Sequence, residues 1–428
     1  VVSARRVFTV LRRLTRSGLN KCLEEHFADF LTVLSAFESV SLRVYDVFNA
    51  IHRGEVRVAD CYEQVARLYT ILEKSLGDPR AALQELSREL RATRLAGFLR
   101  GYSDVLVTSG DTRTYVNSSL RSELSAMKAR IESSLRVLET LYESNIALIL
   151  TLSLLVVMPI WGFPAWISLL AIQLSGLLSY ILAFKIARSL YYPVHRALLL
   201  VDLLYMLALP VFVTTLQLGF FSLLVLVLLH SATRRLVKAL FSLEVEAIKV
   251  FRETHSEVLL GRSLDLALLD SLGKSRFEVL RAISVGLSRG LEGHEVLSRL
   301  KLPQLPVKIL TLLLNPVKYG YAGIAYLSAV NVFIEELMST RILVREKTRL
   351  YALHVLILAL LVSASYIMLS QIPIIVHGNT WLIGLYGYLG IILLSAPIGL
   401  VRDGCYVASR LSLVFAALST GLLVLITL

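Results

Sequence analysis

The sequence predicts an all-α polytopic membrane protein. Its expected architecture is two cytoplasmic helical bundles, related by internal duplication, with about seven transmembrane helices. Three observations predict this. The chain has 428 residues, 56% of them hydrophobic, and a mean hydropathy of +0.68, which exceeds the range of ordinary soluble domains. Charges almost vanish between about Asn145 and His230 and again after Tyr351, as membrane-crossing tracts require. The remaining charge-rich segments carry apolar residues at intervals of three and four, the period of an amphipathic helix.

The segments follow in order: residues 1–24 as a basic amphipathic arm, 25–143 as the first bundle, 144–230 as a membrane region with about four spans, 231–350 as the second bundle, and 351–428 as a membrane region with about three spans. The arm, VVSARRVFTVLRRLTRSGLNK, aligns Val7, Val10, Leu11 and Leu14 on one side and lacks the unbroken apolar core of a secretory signal. It reads as a solvated first helix, with an interfacial helix or a docking arm as alternatives.

In the first bundle, FADFLTVLSAFESV places Phe27, Phe30, Leu31, Leu34 and Phe37 at helical spacing. Gly77, Asp78 and Pro79 predict a helix stop, an N-cap and a first-turn proline. In TSGDTRTYV, Gly110 fits a left-handed helix C-terminus and Asp111 the next N-cap, bonding Arg113 or Thr114. The stretch lacks the preceding strand and the spacing of a phosphate loop. A long helix follows, with Leu120, Leu124, Met127, Ile131, Leu135, Leu138 and Tyr142 on one face. It is expected to run straight into the first span.

Spans are expected at about 144–162, 165–187, two within 197–230 divided near Pro210–Gly219, and at 351–372, 380–400 and 411–428. Lys185, Arg188 and Arg196 mark one inside loop, and Arg402 and Arg410 another, whereas WGFP and PIIVHGNTW carry no Lys or Arg. With seven spans both bundles are cytoplasmic and the C-terminus is outside. His195 and His230 flank spans and read as interfacial. Asp202, inside an apolar tract, reads as a boundary anchor or structural hydrogen bond, or else as a relay or pore residue. SGLLSYILAF supplies small residues for helix packing.

A repeat appears at an offset near 210. LQELSREL (83–90) falls on HEVLSRL (294–300), Gly110 falls on Gly320, and in both copies a long amphipathic helix leads into a span.

Net charge is +12. Residues 1–143 contribute +3, residues 231–350 contribute +6, and the membrane tracts with their short loops +3. The excess suits anionic lipid headgroups or an acidic protein. No aromatic-basic interleaving points to nucleic acid. Arg88, Arg91, Arg94 and Arg100 in the first copy, and Arg299, Lys301 and Lys308 in the second, form a candidate docking face for an acidic partner. Cys22, Cys61 and Cys405 are far apart, without CxxC or a nearby His pair, so neither a disulfide framework nor a zinc site is expected. Sparse Asn and Gln hint at a thermophilic source. No Ser/His/Asp or paired-carboxylate constellation appears, so the sequence points to a non-enzyme without cofactor or metal.

The layout, together with FLRGYSDVLVTSGDTRTYV, GRSLDLALLDSL and LSRGLEGHEVLSRL, resembles the type II secretion system protein F family. These are the platform proteins of type IV filament machines, and the archaeal archaellum and TadC-like pilus members are the nearest in layout. The resemblance covers all but the N-terminal arm. YGYAG stands where a second SGD is expected, which puts a shared role for Gly320 in doubt. The resemblance implies an inner-membrane platform that couples a hexameric cytoplasmic secretion ATPase to transfer of pilin subunits from the membrane into a filament, and it implies a homo-oligomer. A secondary transporter with cytoplasmic helical domains is the alternative; it requires ionisable residues at mid-bilayer depth and broken helices. A signalling scaffold would require a ligand or catalytic domain.

Overall fold

A computed structural model of the chain describes residues 16–90, 93–157, 165–192, 196–216, 219–291, 293–300, 302–314, 324–370 and 380–427. Most of the N-terminal arm, with Val7 to Leu14, lies outside the described residues, as do His195, the WGFP segment, the PIIVHGNTW segment up to its last two residues, and Arg91, Lys301 and Gly320. Every described element is a helix, which agrees with the all-α expectation.

The helices are α1 (Arg16–Glu25), α2 (Phe27–Ser39), α3 (Val44–His52), α4 (Asp60–Leu76), α5 (Pro79–Glu89), α6 (Arg94–Thr108), α7 (Thr112–Val157), α8 (Ala165–Ser189) and α9 (Arg196–Leu216). They continue with α10 (Gly219–Leu259), α11 (Leu264–Gly273), α12 (Glu278–Ser288), α13 (Gly293–Arg299), α14 (Gln304–Leu314), α15 (Ile324–Ser370), α16 (Thr380–Asp403) and α17 (Arg410–Thr427). They group into two compact units. Residues 1–127 and 244–336 form unit one, and residues 128–243 and 337–428 form unit two. The four segments read along the sequence are thus regrouped pairwise in space.

In unit one, local signals operate as the sequence implies. Gly77 (φ 69°) ends α4 and frees Asp78 to accept the backbone N–H groups of Arg80 (3.0 Å) and Ala81 (3.4 Å), with Pro79 in the first turn of α5. The core is aromatic. Phe30 stacks on Phe48 (5.5 Å) and Tyr62 (4.9 Å), and Phe98 stacks on Tyr115 (5.4 Å). Cys22 and Cys61 form a disulfide between α1 and α4, contrary to the expectation of unpaired cysteines. Neighbouring Tyr62 donates to the Leu23 carbonyl (3.3 Å), so packing of the two helices brings the cysteines together across 39 residues. No local sequence motif encodes such a pairing.

Unit two is built around α16. This helix packs against α8, α9 and α17, and its middle and C-terminal turns are buried almost throughout. Small residues permit the crowding. A Cβ added at Gly387 would lie 2.5 Å from Val362, at Gly390 2.6 Å from Ile149, and at Gly176 2.7 Å from Leu393. Pro397 interrupts the bonding of α16, and the Tyr142 hydroxyl donates to the Leu394 carbonyl in the turn before it (2.6 Å).

Among the described residues, Leu169–Ser189, Tyr326–Ser365 and Leu385–Asp403 are long and apolar enough to cross a membrane; Leu198–Leu209 and Arg410–Leu422 are shorter apolar helical stretches. The two longest helices, α7 with 46 residues and α15 with 47, each begin in unit one and end in unit two. Each spans about 70 Å at 1.5 Å per residue. Within unit two they meet directly. Tyr142 stacks on Tyr351 (5.1 Å), the Tyr351 hydroxyl donates to the Leu135 carbonyl (2.8 Å), and Lys347 faces Glu139 (3.8 Å).

Candidate functional site

The TSGDTRTYV stretch lies at the hairpin between α6 and α7. Gly110 adopts φ 72° and Asp111 accepts the Thr114 N–H (3.1 Å), as its sequence implies. The Thr114 side chain, together with this backbone bond, holds the exposed Asp111 carboxyl below its ordinary range. The turn also encloses a polar node that sequence reasoning missed. Glu38, buried at the end of α2, accepts hydrogen bonds from the hydroxyls of Tyr102 and Thr112 (the latter 2.7 Å), and Arg43 bonds Thr112 and pairs with Glu38. Burial pushes the Tyr102 hydroxyl well up, and the Glu38 carboxylate adds to the shift. Beside it Gly101 leaves room for Tyr115: a Cβ there would collide with the Tyr115 hydroxyl, which donates to the Phe98 carbonyl (3.2 Å). The one available signal was an acidic residue closing an otherwise apolar helix face, FESV.

The candidate docking cations fall into different environments. Arg88 and Arg100 are exposed, and Arg88 pairs with Glu85 (3.2 Å). Arg94 is drawn inward. Its guanidinium pairs with Glu24 and Glu123, donates to the Glu24 carbonyl (2.7 Å) and lies over the Phe27 ring (5.6 Å). It therefore ties α6 to α1, α2 and α7, and its donors serve the fold. Lys308 is also internal. It pairs with buried Asp29 and sits over Phe333 (4.4 Å), joining α14 to α2. Burial by itself would raise the Asp29 carboxyl, but Lys308 and His26 (3.0 Å) outweigh it and hold the group below its ordinary value. Arg299 ends the short helix α13. Arg91, Lys301 and Gly320 lie outside the described residues.

Asp202 forms the second polar node, inside unit two. Its carboxylate is fully buried and takes four donors: the Tyr180 hydroxyl (2.9 Å), the backbone N–H groups of Tyr406 (2.8 Å) and Val407 (3.0 Å), and the Cys405 thiol (3.3 Å). His230 bonds the Val407 carbonyl through Nδ1 (2.9 Å) and is buried. A carboxylate offers about four acceptor positions, so Asp202 is saturated, by three donors from the turn between α16 and α17 and one from α8. This geometry is that of a structural clamp.

A second clamp, absent from the sequence reading, holds the turn after α8. Buried Arg341 donates to the carbonyls of Leu190 (2.8 Å) and Tyr191 (3.0 Å) and stacks on Tyr192 (4.7 Å). The cation thus meets the unsatisfied carbonyls of a helix C-terminus. The two clamped turns are alike in sequence: Arg188, Tyr192 and Arg196 recur as Arg402, Tyr406 and Arg410, 214 positions on. Asn145 adds a third polar contact, donating to the Ser179 hydroxyl (3.1 Å) and accepting from Ser175.

Among the described residues no group of three or more His, Cys, Asp or Glu side chains is placed to hold a metal. No protein-family model, curated protein or solved structure matches the chain.

Proposed function

We propose that this chain is the membrane platform of a type IV filament-assembly machine of the archaeal kind. Unit two crosses the bilayer with seven helices: the C-terminal part of α7, then α8, α9, the N-terminal part of α10, the C-terminal part of α15, α16 and α17. Unit one lies in the cytoplasm and receives the hexameric secretion ATPase. The chain is an internal duplication, and it works without catalysis.

The observation that carries this reading is the pairing of α7 with α15. Each is a continuous helix of more than 40 residues that starts among charged bundle helices and ends in an apolar tract. Each is stiff enough to carry a displacement along its length. Tyr142 and Tyr351, which stack on one another, stand 209 residues apart, close to the repeat offset. The apolar faces of α8, α9, α10 and α15 are exposed, with Leu178, Leu200, Leu228 and Leu360 each more than half accessible. Exposed faces of this size suit contact with lipid. On this reading pilins meet the spans, and Arg88 and Arg100 are the docking cations of the proposed face that the structure describes as exposed.

The test is affinity purification of the tagged full chain from its native membranes, with identification of the co-purifying proteins. A secretion ATPase and a pilin are expected, and Arg88→Glu with Arg100→Glu should release the ATPase while pilin stays. Recovery of neither partner, together with solute uptake by vesicles that hold the purified wild-type chain, would replace the platform with the secondary transporter.

A further inference from the structure

We infer that unit two carries a basic collar that binds anionic phospholipid headgroups selectively. The inference rests on the membrane reading above. Unit two contains 15 Lys and Arg against 6 Asp and Glu, so +9 of the chain's net +12 belongs to it. These charges are confined along the helices. No Lys, Arg, Asp or Glu occurs in 144–184, 350–401 or 411–428, and only Asp202 occurs in 197–229.

The cations gather at one level. Tyr192 after α8, Phe241 of α10 and Gly404 after α16 meet there: Tyr192 and Phe241 lie 5.8 Å apart, and a Cβ at Gly404 would be 3.8 Å from each. Arg341 reaches the same junction through Tyr192. Lys238 lies one turn from Phe241, Arg188 one turn from Tyr192, and Arg345 one turn from Arg341.

The cations also continue the outward-facing apolar stripes. On α8 the exposed series Leu174, Leu178, Ile181 runs on to exposed Lys185 and Arg188. On α10, Leu224 and Leu228 run on to Arg235, and Val227 to Arg234 and Lys238, all exposed. On α15 exposed Arg345 and Arg349 precede Leu353, Leu356 and Leu360. On α17 Arg410 precedes Val414. Steps of three, four and seven keep each series on one helix face. The side chains that follow the acyl-facing leucines are thus cationic at this one level. That is the arrangement that places ammonium and guanidinium groups against lipid phosphates, with their methylene stems along the acyl boundary. An acidic protein would not need the cations in register with the apolar stripes.

The full chain is reconstituted into vesicles of equimolar phosphatidylcholine and phosphatidylglycerol and recovered by flotation. It is then extracted in mild detergent, and the retained lipids are measured by mass spectrometry. Retained lipid enriched several-fold in phosphatidylglycerol is expected. Arg234→Gln/Arg235→Gln/Lys238→Gln should lower that enrichment by about fivefold or more, given the attraction each surface cation exerts on an anionic leaflet. Arg234→Lys/Arg235→Lys should keep it, because the charge is retained. A wild-type lipid ratio equal to the bulk ratio, or a triple-Gln variant as enriched as wild type and equally stable to heat, overturns the collar. Failure of the wild-type chain to float with the vesicles overturns instead the membrane reading on which the collar rests.

Discussion

Replacing Asp202 should release the turn between α16 and α17, and the geometry sets the size of the effect. The carboxylate satisfies two backbone N–H groups, Tyr406 and Val407, one on each oxygen, as well as the Tyr180 hydroxyl and the Cys405 thiol. In Asp202→Asn one oxygen becomes an NH2 group. Whichever way the amide turns, one of the two backbone donors then faces another donor. In Asp202→Ala both lose their partner, while the Tyr180 hydroxyl can rotate to find another acceptor. Each buried donor left unsatisfied costs about 1–3 kcal/mol, so Asn should lose about 1–3 kcal/mol and Ala about twice that. Cys405 supplies the assay, because it is buried and is the single free thiol beside the Cys22–Cys61 disulfide. Maleimide labelling of the detergent-solubilised protein at moderate temperature should be slow in wild type, faster in Asn and fastest in Ala. Melting temperatures should fall in the same order. Protected Cys405 and unchanged melting in both variants would refute the clamp.

Three further perturbations have defined outcomes. Gly101→Val would place a side chain on the Tyr115 hydroxyl and break its bond to Phe98; a loss of about 1–3 kcal/mol, as for overpacking, is expected in denaturant melts. Cys22→Ser with Cys61→Ser removes a cross-link closing a loop of 39 residues, worth about 4 kcal/mol on the chain-entropy account, and reductant should lower the melting temperature of wild type but not of this variant. Asp29 has a depressed pKa in the folded protein. Its stabilising contribution is therefore present above the carboxylate's unfolded value and is lost as pH falls through the folded one. Stability measured below about pH 4 should consequently drop more steeply in wild type than in Asp29→Asn/Lys308→Met, and parallel pH curves would contradict the ion pair.

Much of the helix inventory is legible in local chemistry. Asp78 and Asp111 sit where short acceptors precede a helix, and both cap as their positions imply. The stripe Leu120, Leu124, Ile131, Leu135, Leu138 is buried along α7 because its spacing keeps it on one face. What the sequence hid depends on distant partners. Lys308 reads as a surface cation because nothing in LPVK reveals Asp29 beside it. Arg94 differs from Arg100 only in having Glu24 and Glu123 within reach. Cys22 and Cys61 are joined by helix packing, which leaves no spacing pattern to read. The charge partition changes for a related reason. Counted within predicted segments, Arg234, Arg235, Lys238 and Arg345 belong to the second bundle, but α10 and α15 carry them into unit two.

The proposed platform role requires this chain to move pilins from the membrane into a filament. Its most direct test is deletion in the native cells, with surface filaments counted by electron microscopy and pilin located by fractionation. Filaments are expected to disappear and pilin to accumulate in the membrane. The wild-type chain should restore filaments, while a chain with a flexible glycine-rich insert in α7 between Leu124 and Leu135, which breaks the helix and leaves the spans in place, should not. Normal filaments in the deletion strain, accompanied by loss of uptake of a solute, would overturn the platform role.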